Sequence, residues 1–295
     1  MKRLIVITGP TGIGKTNVAI EIAERLGTEI VSADSRQIYR DIPIGTAAPD
    51  AGQLARVRHH FVGTLGLDEY FSAAQYEAEA LEVIARLHSC HDDVVMCGGS
   101  MMYVDAVCRG IDDIPTISPE IRNHLMERYE RDGIESLRIS LLGYDPEYYR
   151  MVDLNNHRRI IHALEICLQA GVPYSSLRTG EAKKRPFEIV KIALNMPREQ
   201  LFDRINRRVD AMMLEGLEQE ARKVYPLRHL NSLNTVGFKE MFAYFDGTLS
   251  RDTAIERIKK NTRVYAKKQL TWFAKDSQII WCEPSADAVA SIILF

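Results

Sequence analysis

The five cysteines, Cys90, Cys97, Cys108, Cys167 and Cys282, include no CxxC pair and no metal-ligand spacing. A scattered, odd-numbered set excludes a disulfide framework or a zinc module and reads as reduced thiols of a cytoplasmic protein. An excess of one charge is lacking too. The 38 Lys and Arg against 40 Asp and Glu leave a net charge of -2, so any surface for a polyanion must be local. No apolar run approaches a membrane span. "MKRLIVITG" opens with two basic residues before an apolar run, as an export signal does, but the run is far too short and breaks at glycine. There are no repeats or low-complexity tracts. What is present is an ordinary globular composition, 46% hydrophobic and 26% charged over 295 residues, enough for one or two domains with a sizeable core.

Along the chain, "RLIVITG" reads as a buried strand closed by glycine. "KTNVAIEIAERLG" is a helix, with Val18, Ile22 and Leu26 on one face and Gly27 as its stop. "EIVSADS" is a second strand, and the stretch from "RQIYRD" to "RVRHH" reads as loop and short turns. "FSAAQYEAEALEVIARLHSC" is a long amphipathic helix, and "DDVVMCGGS" a third buried strand. Alternating helices and apolar strands predict a parallel α/β sheet covered on both faces. From 117 to 186 the pattern is helical without a convincing strand. "FEIVKIALNM" then restores a strand, "QLFDRINRRVDAMMLEGLEQEARKV" one long helix and "SQIIWCEP" a last strand. The expected organisation is an α/β core formed by residues 1–116 and 187–295, interrupted by an all-helical domain over 117–186.

Gly9, Pro10, Thr11, Gly12, Ile13, Gly14, Lys15 and Thr16 satisfy G-x-x-x-x-G-K-[ST] between a predicted strand and a predicted helix. In that context backbone N–H groups curl around an anion at the helix N-terminus, where the dipole favours negative charge. Lys15 adds a point charge, and the Thr16 hydroxyl is suited to Mg²⁺. The motif predicts a P-loop NTPase-like core that grips phosphate.

An NTP-hydrolysing protein with this loop usually carries an acid at the end of a later buried strand, to hold the metal. Here that strand ends Met96, Cys97, Gly98, Gly99, Ser100, with no acid. The nearest strand-end acid is Asp34 in "VSADS". Strand C-termini of a parallel sheet share the edge that bears the phosphate loop. Asp34 is therefore placed to take a proton from a nucleophile, or else is simply a loop or capping aspartate. Arg204, Arg207 and Arg208 flank an apolar helical stripe, and one of them could reach the anion, although spacing does not say which. "RIKKNTRVYAKKQLTWFAKD" interleaves basic residues with Tyr265, Trp272 and Phe273. It is either a nucleic-acid face or a solvated helix whose aromatics are core. His59 and His60 point only weakly to a metal or acid/base site.

Taken together these blocks resemble the tRNA dimethylallyltransferase (tRNA isopentenyltransferase) family in its bacterial form. The similar segments are "GPTGIGKT", "SADSRQIYRDIPIGTA", "HHFVG", "YFSAAQYEAEA", "VVMCGGSMMYVDAV", "NNHRRIIHALEI", "RINRRVDAMMLEGLEQE", "NTVGFKEM" and "KKQLTWF", in the expected order over nearly the whole chain. The resemblance implies that the loop holds the pyrophosphate of dimethylallyl diphosphate with Mg²⁺. The dimethylallyl group then moves to N6 of an adenine beside the anticodon. By motif position, Thr11 and Lys15 match diphosphate contacts, Thr16 the metal contact, Asp34 the general base and Arg208 a catalytic arginine. The implied tRNA contacts are Asp34, Ser35, Arg36 and Gln37; Ser100; Arg158, Arg159, Ile160, Ile161 and His162; Val236, Gly237, Phe238 and Lys239; and Lys267, Lys268, Gln269 and Trp272. A monomer is expected, with the helical domain and the basic carboxy-terminal helices clamping the RNA.

Some positions depart from the family's pattern. Ser100 stands where threonine is usual, Ala48 where lysine is frequent and Ala274 where arginine is common. His157, Arg158, Ile160, Ile161 and His162 replace the family's Pro, Gln, Leu, Ser and Arg. The diphosphate site is nearly intact while the RNA-facing blocks drift, which leaves altered RNA preference open. The competing readings are prenylation of free adenine nucleotides, a small-molecule kinase in which Asp34 activates an acceptor hydroxyl, and a non-catalytic RNA-binding module.

Overall fold

The computed structural model describes residues 2–294. Strands β1 (Arg3–Thr8), β2 (Ile30–Ser32), β3 (His59–His60), β4 (Asp93–Cys97), β5 (Glu188–Leu194) and β6 (Ile280–Cys282) form one parallel sheet in the order β3-β2-β4-β1-β5-β6. β1 is central, with Ile5 in register with Val95 of β4 and Val190 of β5. Side chains alternate across a strand. Leu4 and Val6 accordingly enter one core and Ile5 and Ile7 the other, so both faces are apolar and the strand reads as a continuous hydrophobic run.

The helices are α1 (Lys15–Leu26), α2 (Pro43–Thr46), α3 (Ala51–Arg56), α4 (Ala73–His88), α5 (Met101–Arg109), α6 (Pro119–Tyr144), α7 (Pro146–Met151), α8 (His157–Ala170), α9 (Tyr174–Leu177), α10 (Arg198–Glu215), α11 (Leu217–Val224), α12 (Phe238–Phe245), α13 (Arg251–Phe273) and α14 (Ala286–Ile293). Two compact units result. The α/β unit comprises the chain up to Cys108 and from Arg185 onward, and the helical unit is Arg109–Lys184. The helical unit has its own core, in which Leu125, Leu137, Leu141, Ile160 and Leu164 meet. Its buried Asp145 caps α7 by accepting from Tyr148 N at 2.9 Å, and it also accepts from Ser175 N at 2.7 Å.

Two expectations are corrected. The single helix expected over residues 200–224 is two helices, because Gly216 takes φ 109°, a left-handed conformation that stops α10 before α11 restarts. The loop and short turns expected over residues 36–60 contain α2, α3 and the edge strand β3. α3 is fixed by a reciprocal Asp50–Gln53 capping box. β3 is two half-buried residues long, too short for an alternation pattern to register. Among the described residues no helix is long and apolar enough to cross a membrane. The five cysteines are free thiols.

Candidate active site

β1 delivers the chain into the phosphate loop, and Gly14 caps α1. The first helical residues, Lys15, Thr16 and Asn17, have N–H groups with no intrahelical acceptor, at the positive end of the helix dipole. Lys15 curls back so that its Nζ donates to Gly9 O at 3.1 Å and Pro10 O at 3.0 Å. Burial, opposed by Cys97 and Asp34, lowers the Lys15 ammonium to about 8. The three arginines of α10 take different places. Arg208 Nη1 donates to Thr11 Oγ1 at 3.3 Å inside the site, and burial lowers its pKa against the pull of Asp34. Arg204 Nε donates to Gly12 O at 3.2 Å. Arg207 is exposed and pairs with Asp203.

At the end of β2, Asp34 is both a turn residue and part of the cavity wall. Its Oδ1 accepts from Arg36 N at 2.9 Å and Gln37 N at 3.3 Å, closing a local turn, and the residue also lines the cavity with Lys15 and Arg208. Ser100 Oγ accepts from Ser35 N at 2.8 Å and donates to Ser35 Oγ at 3.0 Å, joining the β4 end to this turn. The two strand ends approach so closely that a Cβ on Gly98 would lie 2.1 Å from Ala33 O, which only glycine avoids. The opposite wall is the segment containing α2. Gln37 Nε2 donates to Ala47 O at 2.9 Å, and the Glu220 carboxylate accepts from Ile44 N at 2.9 Å and Gly45 N at 2.7 Å. Burial holds the Glu220 carboxyl above its ordinary value.

These elements enclose a cavity of about 530 Å³ within the α/β unit. Thr11, Lys15, Thr16 and Arg208 make part of its lining cationic and hydroxylic, while Ile44, Ala47, Ala211 and Met212 supply apolar surface. Cys97 lines it where a metal-holding acid would otherwise stand. Burial pushes that thiol up to about 12, so it is neither an acid nor a ready metal ligand. Among the described residues no three His, Cys, Asp or Glu side chains cluster to hold a metal. His59 and His60 belong to β3, and His60 Nε2 meets Glu29 Oε2 at 2.6 Å.

Residues 37–276 match the family model described as IPP transferase. The chain belongs to the IPP transferase family. It is 58% identical over 281 residues to tRNA dimethylallyltransferase 1 of Phocaeicola vulgatus, covering 95% of this chain and 94% of the relative. It is 55% identical over 284 residues to tRNA dimethylallyltransferase 2 of Parabacteroides distasonis, covering 96% and 95%. Among solved structures it superposes on the tRNA isopentenylpyrophosphate transferase of Bacillus halodurans with TM-score 0.73 and 35% identity over 99% of this chain and 94% of that one. A eukaryotic dimethylallyltransferase captured acting on tRNA gives TM-score 0.84 and 25% identity, with 100% and 78% covered.

In this IPP transferase the RNA-contact candidates fall into two groups. Lys267, Lys268 and Trp272 are exposed on α13, Lys239 on α12, and Arg158, Arg159 and His162 on α8 of the helical unit. Val236 is half-buried, and Gly237 caps α12, its N–H donating to Glu240 Oε2 at 2.8 Å. Ile160, Ile161, Phe238 and Gln269 do not fit the expectation, because their side chains are between 0% and 6% exposed. The first two are core of the helical unit and Phe238 is core of the α/β unit, since each falls on the apolar stripe of its helix. Arg36 is half-buried, and its Nη1 donates to Asn231 O and Ser232 O, each at 3.0 Å. The basic segment splits likewise, with Phe273 buried and Tyr265 lining the cavity. Glu220 was not singled out from the sequence. Its signal is a carboxylate on the apolar stripe Leu217, Ala221, Val224.

Proposed function

We propose that this IPP transferase moves the dimethylallyl group of dimethylallyl diphosphate to the exocyclic N6 of the adenine at position 37, beside the anticodon of a tRNA. The observation that carries this reading is one cavity holding both the Lys15–Arg208 anion site and the Asp34 carboxylate, with no acid at the cavity end of β4, which closes on Met96 and Cys97. The names of the relatives point the same way.

The α1 N-terminus, Lys15 and Arg208 grip the diphosphate, and Ile44, Ala47 and Met212 offer apolar surface to the dimethylallyl chain. N6 attacks the allylic carbon bonded to oxygen, and the new C–N bond forms as the C–O bond breaks and diphosphate leaves. An adenine amino group is a poor nucleophile because its lone pair is delocalised. Asp34 takes the N6 proton as the bond forms. Charge growing on the leaving group is met by cations already in place. The donor set suits Mg²⁺, which keeps water and needs few protein oxygens beside substrate phosphate. Thr16 would hold it, and it would supply further neutralisation of the leaving group. The adenine must leave its stack to reach the cavity. Exposed Lys267, Lys268 and Trp272 on α13, Lys239 on α12, and Arg158, Arg159 and His162 of the helical unit are the RNA contacts in this reading.

The test incubates the protein with Mg²⁺, dimethylallyl diphosphate and unmodified tRNA, with AMP in a parallel reaction, followed by mass spectrometry of digested nucleosides. Prenylated adenosine from tRNA alone is the expected product. Prenylated AMP instead would select the free-nucleotide reading, and consumption of ATP supplied in a third reaction, without prenylation in the others, would select a kinase.

A further inference from the structure

Gln269 and Phe273 lie one helical turn apart on α13 and are both buried, at 2% exposure each, whereas Lys267, Lys268 and Trp272 of the same helix are exposed. A buried primary amide has to satisfy both of its ends. Both ends of Gln269 go to the catalytic cavity. Its Oε1 accepts from Thr11 N at 2.8 Å, and its Nε2 donates to Gly99 O at 2.8 Å. The fit is tight, since a Cβ on Gly99 would stand 2.5 Å from Nε2. Thr11 is also the residue whose hydroxyl accepts from Arg208. Gly99 immediately precedes Ser100, whose hydroxyl holds Ser35 next to Asp34. One amide therefore ties the anion side of the cavity to its acid side.

We propose that Gln269 is a positioning residue that pins the phosphate loop to the end of β4, and that it makes no contact with RNA. The inference rests on the diphosphate reading above. The Thr11 N–H is committed to a protein acceptor rather than to the anion. Gln269 thus sets the loop shape that puts Thr11, Arg208 and Lys15 around the leaving group. Losing it leaves the half-buried Thr11 N–H and the buried Gly99 O without their partner and lets the loop relax, while the exposed RNA-facing lysines are untouched.

The diagnostic variant is Gln269→Glu. A carboxylate keeps the length and still accepts from Thr11 N, but it opposes Gly99 O with an acceptor and adds negative charge near the diphosphate. When protonated, the carboxyl regains a donor. Dimethylallyl diphosphate and tRNA affinities of the full chain are measured at pH 8 and pH 5, each relative to the unsubstituted protein at the same pH, with Gln269→Leu alongside. The expectation is a roughly tenfold weaker diphosphate affinity for Gln269→Glu at pH 8, shrinking to about threefold or less at pH 5. Gln269→Leu should show a loss independent of pH, and tRNA affinity should stay within about twofold for both, as its contacts lie elsewhere. Retained diphosphate affinity with lost tRNA affinity would overturn the proposal, as would a Gln269→Glu deficit equal at both pH values. If the unsubstituted protein does not bind dimethylallyl diphosphate, the proposed function fails instead. Inorganic pyrophosphate run through the same series then decides the role of Gln269 separately.

Discussion

Burial lowers the Lys15 ammonium to about 8, so the free protein loses this charge within the range of an ordinary assay. A bound diphosphate sets oxyanions against the nitrogen and returns it towards its usual value of about 10.4. The ligand therefore prefers the protonated form. Affinity is full below pH 8 and falls as pH rises from there, by about tenfold per unit until the pKa of the complex is approached. Between pH 7 and pH 9.5 the charged fraction of free Lys15 drops from about 0.9 to about 0.03, while in the complex it stays near 0.9, a rise of about 25-fold in Kd. The last ionisation of the diphosphate lies near pH 6 by analogy with phosphate monoesters, and adds nothing over this range. Titration calorimetry of dimethylallyl diphosphate across the range measures the slope directly. Lys15→Arg is the control, because a guanidinium stays charged throughout and its curve should be flat whatever its affinity at pH 7. A flat curve for the unsubstituted protein, or the same slope for Lys15→Arg, would show that Lys15 does not govern the anion site.

Three further substitutions probe the other groups. Asp34→Asn keeps the oxygen that accepts from Arg36 N and Gln37 N, so the turn and the diphosphate affinity should survive while single-turnover transfer falls about 10²–10⁴-fold. Near-normal rates would remove Asp34 as the base. Arg208→Ala should lower the transfer rate, the diphosphate affinity or their product by about 10²–10³-fold, read from kcat and KM, and unchanged values would take Arg208 out of the site. Glu220→Ala strips the acceptor from two backbone N–H groups and should cost about 1–3 kcal/mol in urea unfolding, with a raised KM for diphosphate, since the α2 wall loosens. Unaltered stability and KM would mean that water replaces the carboxylate without consequence.

The parts of this site that could be read from the sequence are those whose chemistry is local. The phosphate loop is eight consecutive residues in a fixed strand–loop–helix context, and the central strands are continuous apolar runs because both of their faces are covered. What pattern alone could not supply is where a side chain goes once helices pack. Arg204, Arg207 and Arg208 are indistinguishable by spacing, yet α10 turns one to Thr11, one to Gly12 O and one to solvent. Motif resemblance places Gln269 and Arg36 among RNA contacts by their positions in the matching segments. Gln269 is buried, and Arg36 Nη1 anchors to two backbone carbonyls, neither of which the pattern of the segment discloses. Gly216 was hidden by an apolar stripe that runs on either side of it, since a pattern of side chains does not register a backbone that turns left-handed.

Strand order explains why the missing acid and the present acid belong to one design. β4 lies between β1, which carries the phosphate loop, and β2, which carries Asp34. Adjacent strands are about 4.8 Å apart, so an acid ending β4 would stand about 5 Å to the side of the loop, level with a bound phosphate, whereas one ending β2 stands about 10 Å away. The nearer position suits a group that acts on the phosphate or its metal. The farther one leaves room between loop and carboxylate for an allylic carbon and the amino group that attacks it. The near position is also closed at Gly98, because any Cβ there would meet Ala33 O at 2.1 Å, and Cys97 fills the preceding place with an un-ionised thiol. A carboxylate two strands from the anion is suited to deprotonating a nucleophile that attacks what the phosphate carries, and poorly placed to direct attack on the phosphate itself.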